Sequence, residues 1–105
     1  MYFVYIIKCS GNKLYTGITN DVKRRMNEHF EKTERCAKFT RSHKAESLEA
    51  VWRTENRSLA LKLEWKIKQL TRSQKDSLIN DESKFEKLIN NEDKLFYERE
   101  KIENF

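Results

Sequence analysis

Two basic residues occupy the apolar stripe of an amphipathic helix. Over residues 21–30 the positions at helical spacing are Val22, Arg25, Met26, His29 and Phe30, while Lys23, Arg24, Asn27 and Glu28 take the solvent side. Arginine is seldom buried unless paired. Arg25 one turn before His29 therefore predicts a cleft edge or an ion-pair partner, or else an arginine snorkelling over a core-edge histidine. A second helix repeats the anomaly with the opposite charge. Its stripe, capped by Asn56 or Ser58 and running to about Leu70, is Leu59, Ala60, Leu63, Ile67 and Leu70, widened by Leu61 and Trp65. Glu64 falls inside that stripe, where a carboxylate must lose water and needs a cation, a metal or hydrogen-bond donors opposite. The plainer alternative is an ion pair with Lys68 at i+4.

The elements that must carry these groups are short. Tyr2 to Ile7 is aromatic and β-branched, Ser10-Gly11-Asn12 is a turn cluster, and Lys13 to Ile18 resumes an extended pattern, which together predict a β-hairpin. Alternation puts Tyr15 on one face with Lys13 and Gly17, and Leu14, Thr16 and Ile18 on the other. The chain has two glycines and no proline. Gly11 belongs to the turn, but Gly17 lies within a strand, where it weakens the element unless something must come close. A packed neighbour or a bound phosphate would explain it.

Thr19 or Asn20 reads as the cap of the first helix, with Asp21 in its first turn. Residues 31–45 show neither period and read as a long connection. Lys38, Arg41 and other basic residues flank Phe39 there, a mixture that suits phosphate contacts and base stacking, or a solvated loop pinned by Phe39. Glu46 to Arg53 reads as a third strand, with Leu48, Ala50 and Trp52 on one face. A short helix from Thr71 or Ser73 to Asn80 follows. The expected fold is therefore α/β (α+β): a small, three-stranded, mainly antiparallel sheet flanked by helices.

At 105 residues the chain supports one modest core. No signal peptide or membrane-spanning run is apparent, so a soluble, cytoplasmic protein without a membrane partner is expected. Two isolated cysteines suit neither a disulfide scaffold nor a zinc site. Residues 1–80 hold 17 Lys and Arg against 9 Asp and Glu, whereas residues 81–105 hold 5 against 8. The basic part suits a polyanion, chiefly nucleic acid. The acidic part, with apolar residues at helical spacing in pieces, reads as a helical C-terminal extension that packs back, joins a homodimer or frays.

Val4-Tyr5-Ile6 and, ten residues on, Tyr15-Thr16-Gly17 resemble the signature of the GIY-YIG nuclease superfamily, with Val for its first Gly and Thr for its second Ile. The resemblance covers residues 1 to about 80 and is closest to small stand-alone bacterial proteins with this domain. Arg25, His29 and Glu64 fall at family positions. It implies a metal-dependent DNA endonuclease, of the kind acting on branched or damaged DNA in repair or recombination, with RNA also open. In that reading Tyr15 is the general base, Tyr5 positions water or phosphate, and Arg25 clamps the phosphate. His29 contacts the phosphate or relays a proton, and Glu64 holds one Mg²⁺ or Mn²⁺ ion. Lys13, Gly17, Lys38, Phe39 and Arg41 would meet the substrate. An ordinary tyrosine titrates near ~10, so a base needs a cation beside it. Excision-repair relatives carry Lys where Ile18 stands, which leaves Lys13 as a candidate. Phe39 replaces a usual Tyr. The alternative is a nucleic-acid-binding module of the same fold without turnover.

Overall fold

The computed structural model describes residues 1–31, 35–89 and 93–105. Strand β1 (Tyr2–Cys9) turns through Ser10–Asn12 into β2 (Lys13–Thr19). Gly11 and Asn12 adopt φ of 74° and 58°, the left-handed region that glycine and asparagine tolerate best. Helix α1 (Val22–Phe30) begins not at Thr19 or Asn20 but at Asp21, whose carboxylate accepts from the Arg24 N–H. The shortest acidic side chain at the boundary takes the cap itself. The connection that follows contains a helix that its composition hides, α2 (Lys38–Ser42).

Strand β3 (Ala45–Thr54) pairs antiparallel with β1, and α3 (Arg57–Gln69) follows with Asn56 as its cap. A register shift between Ile6 and Ile7 places Ala50 opposite Ile6 but Leu48 opposite Ile7. One extra residue in β3 thus turns Leu48 to the face opposite Ala50 and Trp52, which simple alternation does not foresee. Helix α4 (Arg72–Asn80) starts at Thr71 in a capping box with Gln74.

Among the described residues the sheet has four strands rather than three, in the order β2-β1-β3-β4, with every neighbouring pair antiparallel. The fourth, β4 (Glu98–Glu100), is only three residues long and charged throughout, so it carries no hydrophobic period to read. Cross-strand ion pairs from Arg53 to Glu98 and Glu100 accompany its pairing with β3. The chain after residue 80, expected to be helical, supplies α5 (Lys84–Leu88), two 3₁₀ turns and β4. It packs back: Phe85 is buried near Trp52, and the Arg99 guanidinium lies 5.1 Å from the Trp52 ring.

The sheet separates two clusters. Val4, Ile6, Ala50 and Trp52 pack with Ala60, Leu63 and Ile67 of α3. Tyr5, Ile7 and Val51 pack with Val22 and Met26 of α1 on the other face. Leu61 and Trp65, expected to widen the inner stripe of α3, are exposed instead. The stripe of Ala60, Leu63 and Ile67 already fills the narrow face that a three-strand width offers. No helix among the described residues is long and apolar enough to cross a membrane.

Candidate active site

Strand β2 is an edge of the sheet, so groups from both faces can meet around it. Tyr5 lies opposite Gly17 in the ladder, and its ring crosses over that glycine. A Cβ at position 17 would stand 2.5 Å from the Tyr5 hydroxyl oxygen, 2.7 Å from its Cζ and 3.1 Å from a ring carbon of Tyr15. Of the two explanations for Gly17, the packed neighbour is the one observed. The missing side chain makes room for the Tyr5 phenol, and Gly17 itself is covered.

The Tyr5 hydroxyl is 2.7 Å from His29 Nε2. On the far side of the imidazole, Nδ1 is 2.9 Å from the Thr40 hydroxyl, which donates to the Ala37 carbonyl at 3.0 Å. These contacts fix the proton positions. Because Thr40 spends its only proton on Ala37, it must accept from His29 Nδ1–H, which leaves Nε2 as an acceptor. The Tyr5 O–H therefore donates to Nε2, and the Arg25 guanidinium stands as a donor to its oxygen. Thr40, from the unanticipated helix α2, is a site residue that sequence reasoning missed. Its signal is weak, one of two threonines in a mostly polar connection.

His29 is 0 % exposed and Tyr5 1 %. Direct contact between His29 and a phosphate, one of its two expected roles, is closed off by this burial. Burial, with the Arg25 charge adding to it, pushes the His29 pKa down to about 4. Burial also raises the Tyr5 pKa above the ordinary phenol value; Arg25 offsets part of that rise, whereas the charges of Tyr15 and Glu64 add to it. Neutral imidazole and neutral phenol are thus the stable pair.

A stability consequence follows with a definite sign. Above pH ~6.5 His29 is neutral folded and unfolded, so its full contribution stands. Between ~6.5 and about 4 the unfolded chain takes up a proton that the folded chain refuses, so stability falls as pH drops, by on the order of 3 kcal/mol. Denaturant melts of native protein and His29→Gln across this window should diverge, with the variant losing less. Parallel slopes would show that His29 titrates normally.

Arg25 sits near that hydroxyl from α1. Its guanidinium donates to the Glu28 carboxylate at 2.9 Å and to the Arg35 carbonyl. Glu28, expected on the solvent side, is largely covered because it provides this pairing. Arg25 with Arg24 and Arg57 also lines an open groove of about 330 Å³ that straddles the end of β2. A larger cavity of about 480 Å³, lined by Met1, Arg53, Leu95 and Phe96 among others, lies toward the β4 side, away from these groups.

Tyr15 is half-buried. Its ring contacts His29 edge-on at 5.6 Å and stacks on Phe39 at 5.6 Å, and Phe39 stacks on His43 at 4.3 Å. Phe39 is thus both the pin of its loop and one member of an aromatic column. Lys13, Lys38 and Arg41 are exposed. Lys13 shares the Tyr15 face of β2, as expected from alternation.

Glu64 reaches the same neighbourhood from α3, close enough to Tyr5 for its charge to be felt there. The ion pair with Lys68 exists, at 3.4 Å, yet the Glu64 side chain keeps 19 % of its surface exposed. No cluster of three or more His, Cys, Asp or Glu suited to a metal occurs among the described residues. A lone, partly open carboxylate fits an ion of the Mg²⁺ type, which retains most of its waters and takes the rest of its ligands from substrate oxygens.

The family model of the GIY-YIG catalytic domain matches residues 1–77. The chain belongs to the GIY-YIG family. Its relatives include the UPF0213 protein YhbQ of Salmonella arizonae, 41 % identical over 88 residues that cover 84 % of this chain and 86 % of that one. The UPF0213 protein FN1575 of Fusobacterium nucleatum is 34 % identical over 94 residues, covering 90 % and 92 %. A solution NMR structure of the UPF0213 protein BH0048 from Bacillus halodurans is similar with 35 % identity and a TM-score of 0.48, covering 75 % of this chain and 83 % of that one. The GIY-YIG domain points to a nuclease-like activity on nucleic acid, and nucleases of this family generally use divalent ions.

Proposed function

We propose that this GIY-YIG protein is a divalent-metal-dependent endonuclease that hydrolyses phosphodiester bonds in DNA. One observation carries the reading: the rings of Tyr5 and Tyr15, 6.3 Å apart, both meet His29 over Gly17 at the β2 edge, beside the groove that Arg25 lines.

Hydrolysis adds water to phosphorus and breaks the bond to the 3′ oxygen. Because Tyr5 is enclosed and gives its proton to His29, it serves the attacking water indirectly, by fixing the place of the Tyr15 ring beside it. Burial keeps Tyr5 protonated, which leaves the more open Tyr15 to take the proton from that water. Arg25 offers its unused N–H groups to the non-bridging oxygens, where negative charge grows in the transition state. Lys13 is the cation on the Tyr15 face best placed by strand alternation to favour the phenolate. Glu64 would hold the divalent ion, which when bound supplies Lewis acidity at the phosphate and the departing oxygen. Lys38, Phe39 and Arg41 grip the flanking strand. The departing 3′ oxygen takes its proton from solvent.

The test is a cleavage panel. Supercoiled, branched and single-stranded DNA, and RNA, are incubated with protein and Mg²⁺ or Mn²⁺. Strand breaks are expected, with Tyr15→Phe slower by roughly 10²-fold or more. Salt-sensitive binding without breaks on any substrate would replace this reading with the non-catalytic binding module.

A further inference from the structure

Trp65 is 63 % exposed, and among the described residues no ring stacks on it and no cation covers it. The core does not need it, since Ala60, Leu63 and Ile67 supply the inward face of α3. Leaving an indole in water forgoes burial that would be worth roughly 2 kcal/mol. Its surroundings are specific. Leu61, Glu64, Trp65 and Lys68 are neighbours at i, i+3, i+4 and i+7 on one helical surface. Leu61 is also exposed, and Lys68 pairs with Glu64. One turn before Leu61 stands Arg57, for which no ion pair is found among the described residues. Arg57 lines the open groove with Arg24 and Arg25. Trp65 is eight residues on from Arg57, about 12 Å along the helix.

We propose that Trp65 is a stacking platform for an unpaired base of the nucleic-acid substrate, beside the Glu64 carboxylate, with Arg57 and Arg24 holding the backbone phosphates that lead to it. The substrate class is then single-stranded nucleic acid, or a strand left unpaired at a branch or flap, rather than intact duplex. The charge of the surface chooses the occupant. Arg57 and Lys68 share the face of α3 that bears this flat apolar ring, and Arg57 joins it to the groove that Arg24 and Arg25 line; an anionic chain bearing planar faces matches both features. Bases inside a duplex are stacked on each other and have no face to offer. The proposal rests on the nucleic-acid reading above and narrows it.

The indole reports on itself. The chain contains two tryptophans, and Trp52 is buried, so the solvent-exposed part of the emission belongs to Trp65. Titration with oligothymidylate in the presence of chelator, where cleavage is suppressed, is expected to quench that emission and shift it to the blue. Blunt duplex of equal length should do so far less. Trp65→Ala should weaken oligothymidylate binding roughly tenfold or more, and Trp65→Phe should recover most of it. Arg24→Gln with Arg57→Gln should make the dependence of log affinity on log salt shallower by about one to two.

Binding of oligothymidylate with unchanged Trp65 emission, or with equal affinity in Trp65→Ala, would overturn the proposal. So would duplex that binds and quenches equally well. Trp65 emission that responds to protein concentration alone would assign the face to a second copy of the chain, which also overturns it. The two readings separate cleanly. Quenching without cleavage under Mg²⁺ retains the platform and removes the nuclease, whereas cleavage without a Trp65 response does the reverse. Failure to bind any nucleic acid removes both.

Discussion

Gly17→Ala is expected to abolish most cleavage and to destabilise the protein by about 1–3 kcal/mol, although only one methyl group is added. The new carbon would lie 2.5 Å from the Tyr5 oxygen and 2.7 Å from its Cζ. Neither is the tip of a flexible chain. Tyr5 is enclosed, and its hydroxyl is committed to His29, which is itself held by Thr40. The ring can yield only by tilting away from His29, which strips the hydroxyl of its acceptor and displaces the Tyr15 ring that lies beside it. A displacement near 1 Å at such a position can cost about 10²-fold in rate. Denaturant unfolding and single-turnover cleavage of the variant check the two parts. The double variant Tyr5→Phe, Gly17→Ala should be less destabilised than the sum of its singles, because removing the hydroxyl removes the nearest obstruction. Additive effects would mean that Tyr5 does not occupy the space above Gly17.

Truncation after Asn80 is expected to leave a chain that does not unfold cooperatively. The deleted segment buries Phe85 near Trp52, sends the Tyr97 hydroxyl to the Leu59 carbonyl at 2.7 Å, and packs Phe105 edge-on against Phe3 at 6.0 Å. Arg99 covers Trp52 and donates to the Leu78 and Ile79 carbonyls at 3.2 and 2.9 Å. Burying each large aromatic contributes roughly 1.5–3 kcal/mol, and the strand pairing of β4 is lost as well. The sum approaches the ~5–15 kcal/mol that is the whole stability of a typical domain. Circular dichroism with thermal melting decides it. A truncated chain melting cooperatively near the full-length midpoint would make residues 1–80 an independent unit and residues 81–105 an appendage.

The hairpin, the first helix and the helix carrying Glu64 are legible because each has a clear period and a cap. A glycine inside a strand also announces a close approach at Gly17, but not that the Tyr5 phenol, rather than a phosphate, makes it. What escapes the sequence is mostly contact between segments distant along the chain. Thr40 becomes important only because α2 folds under His29, and five residues of which Phe39 alone is apolar give no period that predicts a helix. β4 is created by its partner strand and by Arg53. Leu48 changes face through one extra residue in β3, which a two-residue alternation cannot register. Trp65 counts as apolar in any stripe, yet its angular position puts it almost opposite the core of α3. That position leaves a large ring that nothing among the described residues covers.

Glu64→Ala tests the central claim most directly. The side chain is partly open and its ion pair with Lys68 is at the surface, so the change should alter stability by only about 0–1 kcal/mol. Binding of single-stranded DNA should persist or tighten as a negative charge leaves a basic surface. Cleavage in Mg²⁺ should fall by on the order of 10³-fold, the several kcal/mol attributed to a metal at a phosphate. A Glu64→Ala protein that folds, binds and still cuts at the native rate would contradict the account.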